Sequence, residues 1–90
     1  MTARRYTVRM TREAEKGLRR VHREDRKRLE AEILALAEAP RPRRAIALRG
    51  TKDGYRVRWR EWRIVYRIYE DEALILVALV GHRKEVYRGL

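Results

Sequence analysis

Apolar and polar residues alternate from Arg5 to Met10, with Tyr6, Val8 and Met10 on one side, which predicts a short first strand. Thr11 is suited to cap a following helix, and Glu13 in its first turn favours the helix dipole. Ala14, Leu18 and Val21 then recur at the spacing of one helical face. Asp25 is placed to cap a second helix, whose core stripe is Leu29, Ile33, Leu36 and Ala37. Glu30 and Glu32 fall off that stripe and are expected in solvent. Both helices are too polar to stand alone, so the pattern predicts a helical hairpin lying on a sheet.

Ala39-Pro40-Arg41-Pro42 ends the second helix, because proline cannot continue the hydrogen-bond ladder. Residues 43–52 form a basic connector in which Leu48 is expected to anchor to the core, with Gly50 and Gly54 allowing tight turns. Three strands follow, at Tyr55–Trp59, Trp62–Tyr69 and Ala73–Val80, joined by the hairpin-length segments 60–61 and 70–72. The last is apolar on both faces, as a central strand should be. The expected architecture is one α+β domain over residues 1–90: an N-terminal strand and a helical hairpin, then a three-stranded antiparallel sheet, in the order β-α-α-β-β-β.

The middle strands carry the most information. Period-two alternation puts Arg56 and Arg58 on one face and Tyr55, Val57 and Trp59 on the other. It likewise sets Arg63, Val65, Arg67 and Tyr69 against Trp62, Ile64, Tyr66 and Ile68. One face can pack on a core, and the other offers guanidinium forks suited to phosphate. Trp59 and Trp62 could stack on bases, but a cross-strand pair within the hairpin is the simpler reading.

Charge agrees with that pattern. The chain has a formal net charge of +11, and every basic residue except Lys16, Lys27, Lys52 and Lys84 is arginine. Such a field attracts polyanions, although arginine bias can also reflect genome composition or a hot habitat. There is no cysteine, so there is no disulfide framework and no thiolate metal site. His22 and His82 are far apart, so neither a metal nor another cofactor is expected. No apolar signal region follows the N-terminus, and the longest apolar run, residues 73–80, falls short of the ~20 residues that span a bilayer. A cytoplasmic protein with no membrane association is expected.

Taken in order, Leu48-Arg49-Gly50, Tyr55-Arg56-Val57-Arg58, Trp62-Arg63-Ile64-Val65-Tyr66 and Val80-Gly81-His82-Arg83 followed by Tyr87 make a familiar series. The chain resembles the RelE/ParE superfamily, the toxin halves of type II toxin–antitoxin pairs, over nearly its whole length, and RelE-like mRNA interferases most. The resemblance implies a microbial-RNase-like fold and a cognate antitoxin. For RelE-type members it implies ribosome-dependent cleavage of mRNA without metal: the 2′-hydroxyl attacks the adjacent phosphate, giving a 2′,3′-cyclic phosphate and a free 5′-hydroxyl. ParE-type members share the fold but inhibit DNA gyrase. A non-catalytic RNA-binding protein is a third possibility.

By resemblance, Arg63 and Arg83 sit where RelE-like enzymes hold the scissile phosphate. Tyr87 falls on a tyrosine that takes part in proton transfer or stacks on a base. Arg56 and Arg58 fall on the family's strand cations, with Arg49 and Lys52 as further phosphate contacts. RelE-type enzymes often carry lysine at the positions of Arg56 or Arg58, and arginine does not readily give up its proton. The general base is thus left to His82 or Tyr87, with Lys52 behind them; His82 has the suitable unperturbed range. Simpler roles stand beside each: a surface arginine for Arg63, a salt bridge to Glu85 for Arg83, a backbone hydrogen bond for His82 and packing on the sheet for Tyr87. The chain stops three residues after Tyr87, so inhibition by an antitoxin is expected to act by covering or distorting the basic face.

Overall fold

A computed structural model describes residues 5–82. In chain order it has β1 (Thr7–Met10), α1 (Arg12–Arg20), α2 (Arg23–Ala35), β2 (Ile46–Ala47), β3 (Gly54–Trp59), β4 (Trp62–Tyr69) and β5 (Leu74–His82). The α+β class is as expected. The sheet, however, has five strands rather than three, in the order β1-β5-β4-β3-β2. The N-terminal strand joins it parallel to β5, with Val8 beside Ile75, while all other neighbours are antiparallel. The apolar β5 is thereby paired along both edges, by β1 and β4; Ile75, Val77 and Val80 are buried, whereas Leu74, Leu76 and Leu79 on its other face are only partly covered.

The helical hairpin covers one face. Ala14, Leu18, Val21, Leu29, Ile33 and Leu36 pack there against Val57, Ile64, Tyr66, Ile68, Ile75, Val77 and Val80. A β-bulge makes this set possible. The β4–β5 register passes from Tyr66–Val77 to Val65–Leu79 and skips Ala78. One extra residue on β5 reverses its alternation, so Ile75, Val77 and Val80 all turn toward the helices. Thr11 serves both neighbours of this bulge: its Oγ1 accepts from Ala14 N at 3.1 Å to cap α1, and it donates to Ala78 O at 2.7 Å. Where α1 crosses β5 the fit is close. A Cβ at Gly17 would lie 1.8 Å from Val80 O.

Several local expectations need correction. Asp25 does not cap α2; His22 flanks the helix, and Asp25 sits in its first turn and accepts a 3.0 Å hydrogen bond from the Trp62 indole. Glu32 is not simply solvated, since Arg28 and Arg44 both pair with it. Leu48 is only half-buried, and Ala45 makes the connector's contact with the core. Gly50 is the turn glycine, at φ +78°. Gly54 begins β3, where a Cβ would meet Thr51 Oγ1 at 2.5 Å. No helix among the described residues is long and apolar enough to cross a membrane.

Candidate functional site

The face of the sheet away from the helices carries the arginines. Cross-strand register fixes their places. Arg58 on β3 lies directly opposite Arg63 on β4, Arg56 opposite Val65, and Arg67 beside Leu76 of β5 and Gly54 of β3. Directly opposed residues of an antiparallel pair have Cβ atoms about 4.5–5.5 Å apart, and like charges there are destabilising. Among the described residues, Arg58, Arg63 and Arg67 have no acidic partner; the ion pairs belong to Arg28, Arg41, Arg44 and Arg60. Arg58, Arg63 and Arg67 thus bring positive charges together on this face with no carboxylate beside them among the described residues, a repulsion that a bound anion would relieve.

Arg63 is not the surface arginine that alternation suggested. It is 4% exposed, and its Nη1 donates to the carbonyls of Arg60 at 3.3 Å and Trp62 at 3.2 Å. Its Nε is buried and has no hydrogen-bond partner among the described residues. The β3–β4 turn therefore holds one end of the guanidinium, and the other N–H is left unsatisfied, a costly state for a buried donor. Arg60, which supplies one of the holding carbonyls, has φ 55°, in the left-handed region. Around the cations run apolar side chains from β5: Leu76 beside Arg67, and Leu79 beside Val65.

His82 is elsewhere. It pairs with Trp62, as Gly81 pairs with Arg63. Consecutive residues of a strand point to opposite faces, so His82 shares the helix-side face with Trp62 while Arg63 points away. The two rings meet edge to face at 5.8 Å. Arg49 and Lys52 are also separated from Arg63. They lie in the loop before Gly54, whose partner Arg67 is four residues along β4 from Arg63, about 13 Å at the strand rise. Lys52 shares a hollow with Asp53, Glu70, Asp71 and Glu72, an acidic setting rather than a phosphate track. Arg83 and Tyr87 lie outside the described residues. The structure thus brings Arg58 and Arg63 together with Arg56 nearby, and leaves His82, Arg49 and Lys52 apart from them.

On the helix side, a polar network that sequence reasoning missed pins the segment after α2. Arg41 donates from Nε to Tyr55 Oη at 3.0 Å and from Nη2 to Glu70 Oε1 at 2.5 Å, and Tyr6 Oη donates to Glu70 Oε2 at 2.6 Å. The bonds to Tyr55 and Glu70 raise the pKa of Arg41 above its ordinary value. Tyr66 stacks on Tyr55 at 5.9 Å and donates to Pro40 O at 2.7 Å; burial pushes its phenol well above the usual tyrosine range. Its only sequence signal was the cluster of tyrosines on one face of β3 and β4. No group of three or more His, Asp or Glu able to hold a metal occurs among the described residues.

Residues 8–87 match the family described as ParE toxin of type II toxin–antitoxin system, parDE. Solved structures agree on the fold. A chain of a RelBE complex from Mycobacterium tuberculosis is 25% identical, with a TM-score of 0.77 over 88% of this chain and 92% of that one. The isolated E. coli RelE toxin is 26% identical, with a TM-score of 0.76 over 94% and 99%. A chain of the RelE–RelB complex of Pyrococcus horikoshii is 25% identical, with a TM-score of 0.77 over 87% and 94%. No curated protein matches the sequence.

Proposed function

We propose that this chain, which belongs to the family of ParE toxins of type II toxin–antitoxin systems, arrests translation in the cytoplasm by cleaving mRNA on the ribosome. The observation that carries the reading is the Arg58–Arg63 pair, two like charges set directly opposite each other with no acid between them. A phosphodiester placed between their forks would convert that repulsion into bidentate attraction. The orphaned Nε of buried Arg63 is a donor that a phosphate oxygen would satisfy, once the guanidinium is uncovered.

In the proposed reaction the 2′-hydroxyl loses its proton to a base and attacks the adjacent phosphorus. The P–O5′ bond breaks, leaving a 2′,3′-cyclic phosphate, and the 5′-oxygen takes up a proton. Arg63, with Arg83, would stabilise the charge growing on the phosphate, and Arg56 and Arg58 would hold the neighbouring backbone. Because His82 faces the other way, Tyr87 is the better candidate to move a proton. No step in this scheme calls on a metal.

The RelE structures at 25–27% identity include complexes with RelB. We propose a cognate antitoxin here too, whose acidic and apolar side chains would cover the arginines and the β5 leucines of this face. Co-expression with the product of the neighbouring small gene should then yield a stable complex.

The test is a reconstituted translation reaction in which cleavage of mRNA is followed by primer extension. Wild-type protein should cut mRNA only when ribosomes are present, and Arg63→Ala should cut about 10²–10³-fold more slowly. Intact mRNA with wild-type protein in excess would sink the reading. One observation favours a second one: the family matched is that of ParE. Inhibition of gyrase supercoiling without RNA cleavage would establish that alternative.

A further inference from the structure

Around the edge of the sheet from Arg63 lies a hollow of about 390 Å³ that the scheme above does not use, lined by Arg43, Arg44, Ile46, Arg58, Trp59 and Arg60. Four of the six are arginines and none is acidic. Arg44 leans on Glu32 and Arg60 on Asp25, at a side-chain distance of 3.6 Å for the latter. Both acids belong to α2, outside the hollow. Arg43 and Arg58 are exposed and have no acidic partner among the described residues.

Ring contacts hold the Trp59 wall of the hollow between two guanidiniums. The Trp59 ring carries the guanidinium of Arg60 at 4.8 Å from its centroid and that of Arg28 at 5.5 Å. Cation–π contacts of this kind restrain long side chains, which lowers the entropy lost on binding. Ile46, 54% exposed on β2, adds a small apolar edge against which a ribose or base can lie.

Arg58 belongs both to this hollow and to the face that holds Arg63. From β4 to β2 is two strand spacings, about 10 Å. A nucleic acid strand held between Arg58 and Arg63 therefore reaches the hollow within its next nucleotides. We propose that the hollow binds backbone phosphates of single-stranded RNA, on the same strand that crosses Arg63. RNA fits better than an acidic protein segment for two reasons. Planar forks match phosphate in two-point contacts. The apolar side chains are Ile46 and Trp59, and the Trp59 ring is already covered by the guanidinium of Arg60, so the hollow lacks the enclosed, desolvated pocket that a protein anchor fills.

This inference rests on the reading of the arginine face as an RNA face, so its test measures binding and not cleavage. Fluorescence anisotropy with 2′-O-methyl RNA, which has no attacking hydroxyl, reports the hollow whether or not the protein is a nuclease. In the full chain, Arg43→Gln with Arg60→Gln should weaken a long oligonucleotide about tenfold and lower the log–log salt slope by about 1.4, the share of two phosphate contacts. A dinucleotide, too short to reach the hollow, should bind unchanged. Arg19→Gln with Arg20→Gln on exposed α1 removes equal charge and should change little. Arg43→Gln alone, on the exposed connector, shows the same trend at about half the slope change if the double variant folds poorly. Unchanged binding, or equal losses from the two double variants, would overturn the proposal. So would intact RNA binding together with weakened binding of the antitoxin, which would make the hollow a protein contact.

Discussion

Gly17 on α1 approaches the Val80 carbonyl on β5 so closely that no side chain fits between them. The contact sets how deep the helical hairpin sits on the sheet. It also fixes the level of residues 81 and 82, which lie directly after Val80 and pair with Arg63 and Trp62. Gly17→Ala should push the helix outward and cost about 2–3 kcal/mol, the range of overpacking in a well-filled core. Urea denaturation with an unchanged m-value would measure it. Gly50→Ala is the comparison. No atom crowds Gly50, and its φ of +78° predicts a smaller loss of about 1–2 kcal/mol from strain alone.

Thr11 carries two obligations that a single hydroxyl satisfies. Thr11→Val keeps the shape but removes the cap of α1 and the donor to Ala78 O at the bulge. Loss of the cap costs about 1 kcal/mol, and the orphaned carbonyl adds about 1 kcal/mol or more. Thr11→Ser should recover most of both. Hydrogen exchange provides a second readout, with protection falling first at Ala14 and in the bulged stretch of β5. Equal stability of Thr11→Val and wild type would show that water replaces the hydroxyl at both places.

Much of this architecture could be read from the chain. Alternation named the faces of β3 and β4 correctly because each strand has one polar and one apolar side, and the helical stripes and the Thr11 cap followed from spacing. What escaped has physical causes. The parallel pairing of β1 with β5 depends on residues 67 positions apart and leaves no local mark. β2 is two residues long, too short for any period. The Ala78 bulge sits in an all-apolar strand, where no alternation exists to reveal a reversal, and that reversal decides which side His82 takes. Alternation also assigns a face but not its exposure, so Arg63 read as a surface cation. Asp25 looked like a cap because nothing in the sequence points to an indole 37 residues away.

Tyr66 gives the fold a vulnerability in alkali. Its phenol is fully buried and its pKa is raised in the folded chain, whereas in the unfolded chain it ionises near pH 10. A raised folded pKa means that the stabilisation is complete below the unfolded value and is lost as pH climbs beyond it. Stability should therefore fall above about pH 10. Tyr66→Phe should be less stable at neutral pH, because Pro40 O loses its donor, by about 1 kcal/mol. It should also lose much of the alkaline decline. Melting temperatures of both proteins from pH 7 to pH 11 decide the matter. Parallel curves would mean that another group controls the decline.

The division of Arg63 and His82 between the two faces makes the sharpest claim about chemistry. If the phosphate sits on the arginine face, an imidazole packed against Trp62 on the far side cannot receive the proton of the 2′-hydroxyl. His82→Gln should then lower ribosome-dependent cleavage less than about tenfold, whereas removing a general base typically costs about 10²–10⁴-fold. The pH–rate profile should keep its shape. The cost should appear instead in stability and in tryptophan fluorescence, since the edge-to-face contact at 5.8 Å is lost. Arg63→Ala should instead lose about 10²–10³-fold in rate, as does removal of one donor to a developing oxyanion. It should also lower the melting temperature, because the carbonyls of Arg60 and Trp62 lose their donor with the buried side chain, at about 1 kcal/mol or more, so rates are compared at a temperature where both proteins are folded. A fall of two or more orders of magnitude with His82→Gln, together with a lost acidic limb in the pH profile, would place the imidazole in the reaction. It would also require β5 to turn over at Gly81 when RNA binds.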